Sequence, residues 1–264
     1  MRSLLNLWHN KSALKSVLVF AYLSLSTSIA NAATLTPRFE HQVKNSNNAI
    51  NHAIFLKCDV DEKRSLQSKG VILKLPRYLE KSRHEFALVT GHGLKENRKC
   101  YVEDFKGHSR QVKSLHLAPN YKAGTNSDWA VVSFRSFAGD HIKRYDIENY
   151  FGDLSMLNNE TISFAQARGL PANTQTCRLA LISLQTDIFK SEPFVSHDCK
   201  AIDGQSGSPI TRIENGVHRL IGLHLGNIWT LNSPLTGKPG RLNFLRPFDE
   251  QLSQEIKQVI KNAD

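Results

Sequence analysis

The sequence predicts an all-β chain closed by one C-terminal helix, and three observations carry that expectation. The first is a set of short apolar runs: Gly70-Val-Ile-Leu-Lys-Leu75, Phe86-Ala-Leu-Val-Thr90, Trp129-Ala-Val-Val-Ser-Phe134, Arg178-Leu-Ala-Leu-Ile-Ser-Leu184 and Arg219-Leu-Ile-Gly-Leu-His-Leu225. Each is rich in β-branched or other apolar side chains, bounded by turn formers and too short for an ordinary helix. The second is the tail, where Phe248, Leu252, Ile256 and Ile260 recur every fourth residue behind Pro247. Asp249 and Glu250 stand early and Lys257 and Lys261 late, as the two ends of a helix dipole prefer. The third is composition: 264 residues, 40% hydrophobic and 22% charged, with 15 Gly and 9 Pro, exclude a disordered, collagenous or low-complexity chain.

At the N-terminus Arg2, Lys11 and Lys15 precede an apolar run from Val17 to Ile29 that ends in Ala30-Asn31-Ala32, a small-x-small cleavage pattern. This predicts a secretory signal peptide over residues 1–32, cut after Ala32, and a secreted or periplasmic mature chain. The run is too short to serve as a membrane anchor and is broken by Ser24, Ser26, Thr27 and Ser28. No other segment of the sequence is long and apolar enough for stable membrane insertion. Residues 33–47 are expected to be an N-terminal extension, trimmed or not.

Export exposes Cys58, Cys100, Cys177 and Cys199 to an oxidising compartment, where an even count predicts two disulfides. Of the three possible connectivities, the sequential one, Cys58 with Cys100 and Cys177 with Cys199, closes each loop within its own half of the chain. There is no Cys-x-x-Cys or Cys/His cluster, so no metal is expected. The formal net charge of +10 is concentrated early: residues 61–122 carry 14 basic and 7 acidic groups, residues 123–264 carry 14 and 15. The basic groups are dispersed among apolar strand residues rather than gathered in a run or a recognised motif, which argues for a solvated basic face and against nucleic-acid binding. The least patterned stretch, Ala138 to Asn159, is the expected linker between two β domains.

Asp203-Gly204-Gln205-Ser206-Gly207-Ser208-Pro209 is the sharpest motif. Glycines on either side of a serine free the backbone for a tight turn that projects the hydroxyl, while neighbouring N–H groups converge on a point where a carbonyl oxygen becomes negative. A serine hydroxyl needs a base, and the base an orienting carboxylate. His92 stands at the end of an apolar strand in Leu88-Val-Thr-Gly-His-Gly-Leu94, and Asp128 immediately before another in Ser127-Asp-Trp-Ala-Val-Val132. Either residue alone also fits an ordinary loop; the ordered set of three is what points to chemistry.

His92, Asp128 and Ser206, in that order and in those contexts, resemble the catalytic set of the trypsin-like, chymotrypsin-fold serine endopeptidases, and the Gly-x-Ser-Gly-Ser-Pro form is most similar to the secreted bacterial branch that includes glutamyl endopeptidases. The resemblance implies two six-stranded antiparallel Greek-key barrels, here over residues 48–145 with His92 and Asp128 and 146–247 with Ser206, followed by the helix over 248–264. It also implies nucleophile Ser206, general base His92, orienting Asp128, and an oxyanion hole of the Gly204 and Ser206 N–H groups acting on polypeptide substrates without a cofactor. Only Gly91 separates Thr90 from His92, one residue fewer than the family usually has. Gln205 replaces the aspartate with which the trypsin-like zymogen switch works, and Ala33-Thr-Leu-Thr-Pro37 is not the terminus that switch uses.

Leu220-Ile-Gly-Leu-His-Leu-Gly226 resembles the segment that places a histidine in the substrate pocket of glutamyl endopeptidases, so His224, with help from nearby Lys200, is expected to bind Glu or Gln at P1. A charged His224 predicts that cleavage after Glu weakens relative to Gln as pH rises. The same residue also reads as a core histidine on an apolar strand. A competing class is a secreted binding protein, either a protease homologue without activity or a β-sandwich adhesin. The oligomeric state is not legible.

Overall fold

The computed structural model describes residues 44–45, 53–61, 64–80, 83–94, 99–137, 142–152, 161–165, 173–182, 194–230 and 238–262. The expected signal peptide lies outside them. Chain order runs β1 (Lys44–Asn45), β2 (Ile54–Asp61), β3 (Arg64–Lys74), β4 (His84–Thr90), β5 (Cys100–Glu103), β6 (Ser109–Leu117), β7 (Trp129–Arg135) and β8 (Arg144–Asp146). It continues with β9 (Thr161–Ala165), β10 (Asn173–Ile182), β11 (Phe194–His197), β12 (Pro209–Glu214), β13 (Val217–Thr230), β14 (Gly240–Pro247) and α1 (Glu250–Lys261).

Strand pairing divides these elements into two sheets that each close on themselves. In the first, antiparallel neighbours follow the ring β2-β3-β4-β7-β6-β5, with β5 returning to β2. In the second the ring is β9-β10-β11-β14-β13-β12, with β12 returning to β9. Both rings have the same order, three consecutive strands and then three in reverse, which is a Greek-key connection used twice. The sequence carries no repeat visible by eye, so the duplication exists at the level of topology. Two short strands are appended: β8 runs parallel to β3, and β1, within the expected N-terminal extension, pairs with β10 of the second sheet.

The continuous apolar runs exist because β3, β4 and β7 bury both faces. Ile72, Ala87, Val89, Ala130 and Val132 fill the first barrel, whereas the alternate residues Val71, Leu73, Phe86, Leu88, Trp129 and Val131 point out of it into a second cluster. That outer cluster is completed by Leu220 and Leu223 from β13 and by Phe248, Leu252, Ile256 and Ile260 from the tail. Each of these four tail side chains is fully buried, a contribution of roughly 1.5–3 kcal/mol apiece. Asp249 caps α1 by accepting the Leu252 N–H at 2.8 Å. The interior of the second barrel holds Ile162, Phe164, Leu179, Val195, Ile210, Ile221 and Leu245.

Both disulfides are present in the sequential pairing. Cys58 and Cys100 stand directly opposite each other on β2 and β5, and Cys177 of β10 joins Cys199, two residues beyond β11. Within the stretch expected to be a linker, four described apolar residues are buried. Ile142 enters the first barrel, Tyr145 and Ile147 the cluster between sheets and helix, and Phe151 the second barrel. Its apolar residues are spaced irregularly, following neither a helical nor a strand period, so the sequence reads as unpatterned although the residues are core. Among the described residues no helix is long and apolar enough to cross a membrane.

Candidate active site

Register places His92 beside Asp128. Thr90, the last residue of β4, pairs with Trp129, the first of β7, so the residue before β7 lies against the turn that follows β4. That turn, Gly91–Gly93, is a single 3-10 turn tied down by the Gly91 N–H to the Asp128 carbonyl at 3.2 Å. Asp128 Oδ1 accepts the His92 backbone N–H at 2.8 Å, and Oδ2 meets His92 Nδ1 at 2.7 Å. Oδ2 also accepts the Gly124 N–H at 2.7 Å. The carboxylate is fully buried while the imidazole remains about one third exposed. Because a carboxylate oxygen only accepts, Nδ1 of His92 is the donor in this pair.

A single glycine between Thr90 and His92 therefore keeps the base on its carboxylate. Space explains the residue type: a Cβ at Gly91 would meet the Tyr121 ring at 2.4 Å and Asp128 Oδ1 at 3.2 Å. Tyr121 is a member of the site that sequence reasoning missed, since nothing in Asn120-Tyr-Lys122 marks it. Burial, and then the Asp128 charge, push its hydroxyl above the usual tyrosine range, so it stays neutral.

The serine motif forms the connection between Cys199 and β12. Gly204 (φ +83°) and Gly207 (φ +81°) both occupy the left-handed region. At Gly207 there is a second constraint, because a Cβ would lie 1.8 Å from the Lys69 carbonyl oxygen. Three backbone bonds dock the loop: the Lys69 N–H to Ser206 O at 2.7 Å, the Gly207 N–H to His224 O at 2.7 Å, and the His224 N–H to Ser208 O at 2.9 Å. Gln205 braces it from within, Oε1 accepting the Ile202 N–H at 2.8 Å. The loop is thus shaped between β3 and β13 without a charged partner for residue 205. Among the described residues the N–H groups of Gly204 and Ser206 have no acceptor, and no hydrogen bond joins Ser206 to His92.

His224 sits on β13 where the strand bulges: His224 pairs with Leu245 and Gly226 with Phe244, leaving Leu225 as the extra residue. It is 3% exposed. Nδ1 lies 2.9 Å from Nε2 of His197 on β11, and Phe164 packs against both rings with centroids 5.4 Å away. Burial, reinforced by His92 and then Lys69, holds His224 down to about 3, and burial followed by His224 holds His197 well below its usual range. Both imidazoles are therefore neutral at ordinary pH. Lys69, the lysine that acts on His224, is itself 4% exposed and held down to about 8 by burial. Lys200 is exposed. Neither His197 nor Lys69 was singled out by sequence.

The paired grip of a carboxylate on a histidine recurs elsewhere. Asp104 Oδ1 accepts the His108 N–H at 2.8 Å and Oδ2 meets its Nδ1 at 2.8 Å, within the turn joining β5 to β6. There it closes the five-residue turn Asp104–His108, so what sets His92 apart is the serine loop docked on the neighbouring strand β3. The architecture of two like-wound β sheets with one C-terminal helix is consistent with a chymotrypsin-like fold. Comparison with known protein families and with curated proteins finds no match in either.

Proposed function

We propose that the protein is a serine endopeptidase that cleaves polypeptides through an acyl-enzyme intermediate. The observation that carries this reading is the His92–Asp128 pair, held at 2.7 Å through a fully buried carboxylate, beside a loop that presents Ser206 between two left-handed glycines. In this mechanism Ser206 Oγ attacks the scissile carbonyl carbon as His92 Nε2 takes its proton. The C–N bond then breaks as His92 returns that proton to the leaving amine, and water repeats the sequence to release the acid. Asp128 holds the tautomer and stabilises the imidazolium. The Gly204 and Ser206 N–H groups receive the oxyanion.

His224 takes the P1 side chain as a neutral donor. If His197 donates from Nε2 to His224 Nδ1, the proton of His224 is placed on Nε2, available to a Glu carboxylate or a Gln amide oxygen alike. Secretion or a periplasmic location fits the two disulfides and the N-terminal sequence pattern. The test is hydrolysis of a peptide library by the purified protein and by Ser206→Ala. Cleavage by the first and not the second supports the reading; absence of cleavage by both favours the binding-protein class.

A further inference from the structure

A cavity of about 290 Å³ lies beside the serine loop and contains neither His92 nor His224. Gly204, the oxyanion donor, forms part of its wall, and Lys69 and Gln205 line it with Gln67 and Asp203. Two features mark it as built for a ligand. Lys69 is a lysine only 4% exposed, in a position where burial penalises its charge. Gln205 is 2% exposed, and while its Oε1 is engaged by Ile202, its Nε2 has no hydrogen-bond partner. A buried cation and an unsatisfied buried N–H donor in one small cavity match an anionic acceptor. The volume is large enough to admit an acidic amino-acid side chain.

Position assigns the cavity to one side of the scissile bond. The serine loop is bracketed by β13, through Gly207 to His224, and by β3, through Lys69 to Ser206. A chain whose P1 side chain enters at His224 crosses Ser206 toward β3 and reaches the cavity after the bond that breaks. We propose that this cavity is a carboxylate subsite on the leaving-group side, with Lys69 as the specificity-determining residue. Its ligand is an acidic side chain at P1′ or P2′, or the C-terminal carboxylate of a short substrate. The sidedness rests on Ser206 being the nucleophile; the affinity for a carboxylate does not. Asp203, exposed at the rim, opposes the anion and sets how strongly it is held, while His224 is another titratable group near Lys69.

Two arms test this. In the first, quenched amidated peptides with Glu, Ala or Lys at P1′ and P2′, and Ala peptides ending in a free carboxylate at those positions, are given to wild type, Lys69→Met and Asp203→Asn. Expected is a kcat/KM about tenfold higher for an acid than for Ala at one of the two positions, lost in Lys69→Met and enlarged in Asp203→Asn. The amidated and free-acid series separate a side-chain carboxylate from a terminal one. In the second, glutarate is titrated onto Ser206→Ala while the Gly204 and Gln205 amide resonances are followed, which needs no catalysis. Saturable shifts that vanish when Lys69→Met is added support the subsite even if no peptide is cleaved. Equal rates for Glu and Ala, a preference surviving in Lys69→Met, or the lack of saturable glutarate shifts overturns it. Asp203→Asn, at an exposed position, serves where Lys69→Met fails to fold: an acid preference left unchanged by it also counts against the proposal.

Discussion

Asp128 holds His92 at two points, its backbone N–H at 2.8 Å and its ring Nδ1 at 2.7 Å. Because Gly124 donates to the same Oδ2 at 2.7 Å, an asparagine amide has no orientation that avoids facing an N–H group. Asp128→Asn is therefore expected to lower kcat by about 10⁴-fold. His92→Ala and Ser206→Ala should each cost as much or more, and double variants little beyond the single ones, since the three act as a unit. Single-turnover assays with retained thermal melts check this.

Gly91 and Tyr121 should be energetically coupled. Gly91→Ala drives a methyl into the Tyr121 ring, an overpacking cost of about 1–3 kcal/mol, with a loss of activity as the His92 turn shifts. Adding Tyr121→Ala removes the obstacle, so the double variant should be less destabilised than the sum of the singles by about 1 kcal/mol or more. Additive values would contradict the packing relation.

The disposition of His224 fixes a pH result. It is neutral down to about 3, so the ratio of kcat/KM for P1 Glu over P1 Gln should stay flat from pH 5.5 to 8, above the Glu side chain's own pKa of about 4.3. A ratio that falls tenfold per pH unit would mean that a charged histidine holds the substrate.

The same depressed values predict acid sensitivity. Above the ordinary histidine value of 6.5, His197 and His224 are neutral in both folded and unfolded chains and contribute nothing. As pH falls below 6.5 the unfolded chain takes up protons that both folded histidines resist, His224 down to about 3. Stability then drops by about 1.4 kcal/mol per pH unit per histidine. Urea unfolding at pH 6, 5 and 4 should show a shallower decline in His197→Gln/His224→Gln.

Lys69 should cost the fold stability that its proposed role requires. Its folded value of about 8 lies below the ordinary 10.5, so the penalty develops as pH falls from 10.5 to 8 and is full at pH 7. Lys69→Met is expected to be more stable than wild type at pH 7 by on the order of 2 kcal/mol. Differential scanning calorimetry at pH 7 and pH 10.5 should show the gain shrinking at the higher pH.

Strands β3, β4 and β7 were legible because burial on both faces leaves apolar runs that no surface strand would carry, and His92 and Asp128 because they stand at the ends of two such runs. Tyr145, Ile147 and Phe151 were not, since their burial comes from where the chain passes between sheets rather than from any period. His197 meets His224 only through the pairing of β11, β14 and β13 and the bulge at Leu225, a register with no local trace. Lys69, in Ser68-Lys-Gly70, reads as a solvated strand lysine; it is the docking of the serine loop on β3 that buries it.

The central claim, that Ser206 is a nucleophile activated by His92, is tested most directly by intact-mass analysis after treatment with a fluorophosphonate. The expected result is one adduct per chain, mapped to Ser206, absent in Ser206→Ala and strongly slowed in His92→Ala. Folded protein that stays unlabelled, or labelling that persists in Ser206→Ala, would contradict it.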